Sequence, residues 1–67
     1  MQKKFAGQTA KQILKSATAD QDGRKFVVIY GTQYTVVEHD RVELANGSYT
    51  STVVIENPDN RIVLDAK

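Results

Sequence analysis

The only histidine of this 67-residue chain, His39, is followed directly by a carboxylate, Asp40. A histidine oriented by a carboxylate is the general base of many nucleophilic enzymes. Neighbouring side chains on a strand point to opposite faces, so Asp40 can orient the His39 ring only if the backbone bends there. We therefore interpret the pair as a solvated bend and expect no catalytic residue and no enzyme activity.

The carboxylates of Glu38, Asp40 and Glu43 are the second candidate for chemistry. The i, i+2 spacing of Glu38 and Asp40 places both on one face of an extended chain, as acid–base catalysis or a hard cation would require. No second acidic cluster has a register that brings it toward them, and acids at a strand bend commonly keep a sheet edge soluble. We expect neither a metal nor a cofactor at this position.

The segment from Asp20 to Gly23 has the alternating carboxylates and the glycine of a calcium-binding loop. Alignment on Gly23 places Thr18 at the first ligand position and Ile29 at the last, and neither carries a carboxylate. The same residues suit a turn between a helix and a strand. The segment therefore predicts a turn without a bound ion.

Basic residues in the first part of the chain indicate an alternative, nucleic-acid binding. The candidate contacts to phosphate are Lys3, Lys4, Lys11, Lys15, Arg24 and Lys25. Tyr30, Tyr34 and Tyr49 could stack on bases, as in sheet-based single-strand binders. The formal net charge is only +1, Asp20 and Asp22 lie among the basic residues, and the tyrosines fall on different predicted faces. Nucleic-acid binding therefore stays the second hypothesis.

A short helix is predicted over residues 9–18, after a flexible segment at residues 1–8. Thr9 and Gln12 have the spacing of a capping box, in which each side chain bonds the other residue's backbone amide. Ala10, Ile13, Leu14 and Ala17 form one apolar stripe. So short a helix is not stable alone and must pack on a larger element.

The remaining chain, residues 24–65, predicts an antiparallel β-meander with three tight turns. Gly31-Thr32 suits a type II′ turn, which pairs Ile29 with Tyr34 and Val27 with Val36, and Asn46-Gly47 suits a type I′ turn. Asn57 to Asn60 suits a four-residue turn that pairs Val53 with Leu64 and Ile55 with Ile62. The predicted inward residues of the second half are Val42, Leu44, Tyr49, Val53, Ile55, Ile62 and Leu64.

The alternation of apolar and polar residues fails near Glu38 to Asp40. An unbroken strand from Tyr34 to Leu44 would bring Glu38 and Asp40 onto the buried face, which is costly for charged groups. We therefore predict a bulge or a sharp bend at this position.

The other face of the sheet also carries apolar residues, namely Phe26, Val28, Tyr30, Val37, Val54 and Val63. One helix cannot cover both faces, so either the sheet curls toward a small barrel or two copies of the chain pack together. The chain has no cysteine and a single histidine, so neither a disulfide nor the common Cys/His zinc sites can stabilise it.

The fold expected from these patterns is one α+β domain, with a short N-terminal helix packed on a four- or five-stranded antiparallel meander. The expected function is a non-enzymatic protein–protein interaction module, a homodimer through the apolar sheet face or a strand edge. No stretch is long and apolar enough to span a membrane, and Met1 to Ala6 lacks the apolar core of a signal peptide, so we expect a cytoplasmic location.

Overall fold

A computed structural model describes residues 4–66 of the chain, and it confirms the α+β fold with an antiparallel sheet. The last five strands form one antiparallel sheet in chain order, and the first two strands form a separate hairpin. The elements are β1 (Lys4–Phe5), β2 (Gln8–Thr9), α1 (Ala10–Ser16), β3 (Thr18–Ala19), β4 (Lys25–Ile29), β5 (Thr32–Glu43), β6 (Tyr49–Glu56) and β7 (Arg61–Ala66). Within residues 4–66 the sheet stays open, with β3 and β7 at its edges, so the predicted curl does not reach a closed barrel.

Helix α1 begins at the predicted capping box. The Thr9 side chain accepts a hydrogen bond from the Gln12 amide at 3.3 Å, and the Gln12 side chain accepts one from the Thr9 amide at 2.8 Å. The helix ends at Ser16, before the predicted end at residue 18, because Ala17 is extended and the chain enters β3. Residues 4–8, predicted as part of a flexible segment, form the β1–β2 hairpin together with Thr9; Lys3 lies outside the described residues.

The two long hairpins differ in how well their turns were predicted. In β6–β7 the predicted register is confirmed, because Val53 pairs with Leu64 and Ile55 with Ile62. In β4–β5 the predicted turn is wrong. Tyr30 and Gly31, with φ of 52° and 77°, form the two-residue turn, so Ile29 pairs with Thr32 instead of Tyr34. The register differs by two residues, which leaves every side chain on its predicted face.

The predicted turn at Asn46-Gly47 is also wrong. This error also assigns the side chains of β5 near the turn to the wrong face of the sheet. The Gly47 amide bonds the Leu44 carbonyl and the Leu44 amide bonds the Ser48 carbonyl, which makes a three-residue loop with Gly47 at a φ of +84°. Tyr49 therefore pairs with Glu43. This one-residue offset moves Val42 and Leu44 off the core face, and they are 55% and 43% exposed.

The predicted break in β5 is present as a β-bulge. The register shifts by one residue between the His39–Thr52 pair and the Val42–Thr50 pair, and Asp40 has a φ of +54°. Before the bulge Glu38 lies on the core face at its rim, where the Ser51 hydroxyl donates a hydrogen bond to the Glu38 carboxylate at 2.9 Å. The bulge thus ends the apolar core at a carboxylate that has a hydrogen-bond partner.

The core lies between α1 and one face of the sheet. Its fully buried side chains of largest volume are Ile13 from the helix and Val53, Ile55 and Leu64 from β6 and β7. Phe5 of the small hairpin packs edge-on against Tyr34, with ring centroids 5.6 Å apart. The helix and the hairpin therefore cover one sheet face and leave the opposite one without a covering element among the described residues.

Candidate functional site

The uncovered sheet face, which we call the outer face, carries five of the six residues predicted as a protein interface. Val28 on β4 is 60% exposed and Val37 on β5 is 41% exposed, whereas Val54 is buried between its strand neighbours. Phe26 and Val63 are half-buried. Tyr30 is the most exposed of the set and lies in the β4–β5 turn, with a positive φ that removes it from the strand.

An apolar row crosses three strands at the middle of the outer face. Val37 pairs directly with Val54, and Val54 pairs directly with Val63, so the three side chains are cross-strand neighbours. Phe26 extends the row diagonally onto β4, since its partner Thr35 lies two residues before Val37. The outer face therefore has a continuous apolar centre that spans four of the five strands.

Polar side chains border this apolar row on both sides. On one side Glu56 pairs with Arg61 across β6 and β7, and their charged groups are 3.8 Å apart. On the other side Thr52 of β6 pairs with His39 of β5 and with Asp65 of β7. An apolar centre with a polar border is the usual anatomy of a protein interface.

The bulge places Val42, which was predicted to face the core, on the outer face. Because an extra residue in a strand reverses the alternation of side chains, Val42 lies on the same face as its partner Thr50 and, further along β6, as Val54. The signal for this was the predicted break itself. A one-residue insertion must exchange the faces of all residues that follow it in the strand.

Two of the carboxylates considered for catalysis, Glu38 and Glu43, are instead paired with a cation. After the bulge Arg41 lies on the core-face rim, where its guanidinium is 3.4 Å from the Glu38 carboxylate and 4.0 Å from that of Glu43. The central carbon of the Arg41 guanidinium lies 3.9 Å from the centroid of the Tyr49 ring. The Lys11 ammonium lies 4.6 Å from the same centroid. This cluster is a set of cation–π and ion-pair contacts that attach α1 to the β5–β6 hairpin.

The described basic residues of the alternative hypothesis lie on β1, on α1 and at the start of β4. Lys4, Lys15, Arg24 and Lys25 are exposed, whereas Lys11 is half-buried against Tyr49 and also bonds the Ser48 hydroxyl at 3.4 Å. The three tyrosines do not share a surface. Tyr34 is buried, Tyr30 lies in a turn and Tyr49 lies under the two cations.

The calcium-like segment forms a turn. One oxygen of the Asp20 side chain accepts hydrogen bonds from the amides of Asp22 and Arg24, both at 2.9 Å. Within residues 4–66 no group of three or more His, Cys, Asp or Glu side chains is placed to hold a metal ion. The acidic residues here serve the turn that leads from β3 into β4.

No protein-family model, no curated protein and no solved structure matches this chain. The class of protein is therefore defined by its fold alone, a small α+β domain with an open antiparallel sheet covered on one face. In the described part of the chain no helix has both the length and the hydropathy that crossing a membrane requires.

Proposed function

We propose that the protein is a non-enzymatic protein-interaction module that forms a homodimer through its outer face. The observation that carries the proposal is the apolar row of Val37, Val54 and Val63 with polar residues on both sides. Five large apolar side chains are exposed in the described chain, and their positions on β4, on β5 and in the turns that follow these two strands put them at or beside this face: Val28, Tyr30, Val37, Val42 and Leu44.

A second copy of the chain is the occupant that this surface fits best. Two antiparallel sheets pack face to face about 10 Å apart by interdigitating apolar side chains, and a two-fold axis lets one patch serve both partners. The chain carries a net charge of only +1, so self-association meets little electrostatic repulsion. The core is small and has no disulfide to stabilise it, so burial of a further apolar face stabilises the folded chain.

Val28→Lys tests the outer face directly. Its side chain points to solvent, so the fold should persist, whereas a lysine ammonium buried between two sheets is costly. We expect association to weaken by more than about tenfold in sedimentation velocity over a concentration series. Gln21→Lys, in an exposed turn, adds the same charge away from the face and serves as the control. Equal association of the two variants would overturn the proposal.

The alternative of nucleic-acid binding makes a separate prediction. Lys11 and Arg41 already contact Tyr49, and the three tyrosines do not share a surface, so we expect no binding that weakens steeply with salt. Fluorescence polarisation with single- and double-stranded oligonucleotides at low ionic strength measures this. Salt-dependent binding that Lys15→Glu and Arg24→Glu abolish would contradict it and favour a nucleic-acid interface.

A further inference from the structure

Strand β7 forms one edge of the sheet, and β1 and α1 contact it. It runs over Arg61–Ala66, and among the described strands it pairs only with β6. The opposite edge is formed by β3, which is only two residues long. An open edge of six residues presents a row of backbone donors and acceptors that another strand can use.

The backbone groups that face this open side can be assigned from the turn. The Asn57 amide donates to the Asn60 carbonyl at 2.9 Å, which makes these two residues a hydrogen-bonded pair. Such pairs alternate with non-bonded ones along an antiparallel ladder. The amides and carbonyls of Arg61, Val63 and Asp65 therefore point away from β6, toward the open edge.

These three residues form a self-complementary set. When two β7 strands lie antiparallel with Val63 opposite its own copy, Arg61 of each chain lies opposite Asp65 of the other. All three pairs are of the hydrogen-bonded type, because each residue points its backbone groups outward. Directly opposite residues share a face, so each Arg61 meets a carboxylate, and the two Val63 side chains meet at the two-fold axis.

We propose that the β7 edge pairs with β7 of a second copy in this register, which joins two five-stranded sheets into one ten-stranded sheet. Charged residues on an edge strand commonly prevent pairing. Here their signs are opposite and their spacing from Val63 is equal, so an antiparallel copy is attracted. Val63 also continues the apolar row of Val37 and Val54, so edge pairing joins the outer faces of both copies.

Edge pairing and outer-face packing share Val63, but they can be tested separately because Val28 lies three strands away from β7. Each of the two contacts doubles the number of chains. If both form, the wild-type protein is a tetramer and Val28→Lys is a dimer. If only the edge pairs, the wild type and Val28→Lys are both dimers. If only the outer face packs, the wild type is a dimer and Val28→Lys is a monomer. The failure of one proposal is thus distinguishable from the failure of the other.

The decisive experiment reverses the edge charges in the Val28→Lys background. Arg61→Asp leaves two acids at the edge and Asp65→Arg leaves two bases, so each variant alone should associate at least about tenfold more weakly than Val28→Lys itself. An equimolar mixture of the two restores both opposite-charge pairs, and we expect a heterodimer in sedimentation velocity and native mass spectrometry. A mixture that associates no better than its components would overturn the proposed register.

Val63→Pro tests the backbone bonds without any change of charge. The Val63 amide points away from β6, so proline removes no bond of the β6–β7 ladder and the fold should persist by circular dichroism. Proline removes the donor at the two-fold axis, so association in the Val28→Lys background should be lost. Unchanged association would overturn the edge pairing. Should the proline variant unfold, the charge-reversal mixture decides by itself.

Discussion

Ile55→Ala should lower the free energy of unfolding by about 2–5 kcal/mol, the range for emptying a buried aliphatic site. Ile55 is fully buried on the core face of β6. It pairs with Val36 on one side and Ile62 on the other, so the strands around it cannot close the space that a shortened side chain leaves. The loss should therefore include a cavity term as well as the lost transfer of apolar atoms.

Urea unfolding at one fixed protein concentration measures this effect, because self-association makes stability depend on concentration. Thr32→Ala is the matched control. It also truncates a β-branched residue in a strand, but the side chain is exposed and does not belong to the outer face, so the change should stay within about 0.5 kcal/mol. A loss below half a kilocalorie for Ile55→Ala, well under the expected range, would contradict the register of β5, β6 and β7.

Asp40→Val should cost about 1–3 kcal/mol, because Asp40 occupies the left-handed region with a φ of +54°. Aspartate tolerates this conformation better than a β-branched residue, which is strained there by contact between its Cβ substituents and the backbone. The strain would fall on the bulge, which reverses the alternation of side chains along β5. The position of Val42 on the outer face depends on this bulge.

Asp40→Gly is the matched control for the bulge. Glycine adopts positive φ without a Cβ clash, so this variant should be at least as stable as the wild type although it also removes the carboxylate. Thermal unfolding of the three proteins side by side separates the two effects. If valine and glycine lower stability equally, the carboxylate matters and the backbone conformation does not, which would contradict the bulge.

Local patterns in the sequence were sufficient for several elements. The Thr9–Gln12 capping box and the Asn57–Asn60 turn form as predicted, because each depends on side chains that bond a backbone two or three residues away. The break near Asp40 was predictable too, since the only alternative was to bury charged residues. Of the predicted interface residues, Phe26, Val28, Val37, Val54 and Val63 lie on the outer face, although their role as an interface stays a proposal.

The two wrong turns show where local patterns stop being informative. Alternation has a period of two, so registers that differ by two residues bury the same side chains, and the sequence could not distinguish a turn at Tyr30-Gly31 from one at Gly31-Thr32. An Asn-Gly pair suits two-residue and three-residue loops alike. The bulge and the three-residue loop at Gly47 together set the pairing register of β5 and β6. Each offsets the register by one residue, so the presence of one requires the other.

The sequence by itself determined the class of fold, one helix on an antiparallel meander, because hydrophobic periodicity and turn chemistry are properties of short segments. Only the tertiary structure decided that Val42 joins the outer face, that Lys11 and Arg41 meet over Tyr49, and that β7 pairs with β6 alone among the described strands. Each of these depends on residues far apart in the chain. Their positions follow from register across strands and from packing, which no local pattern encodes.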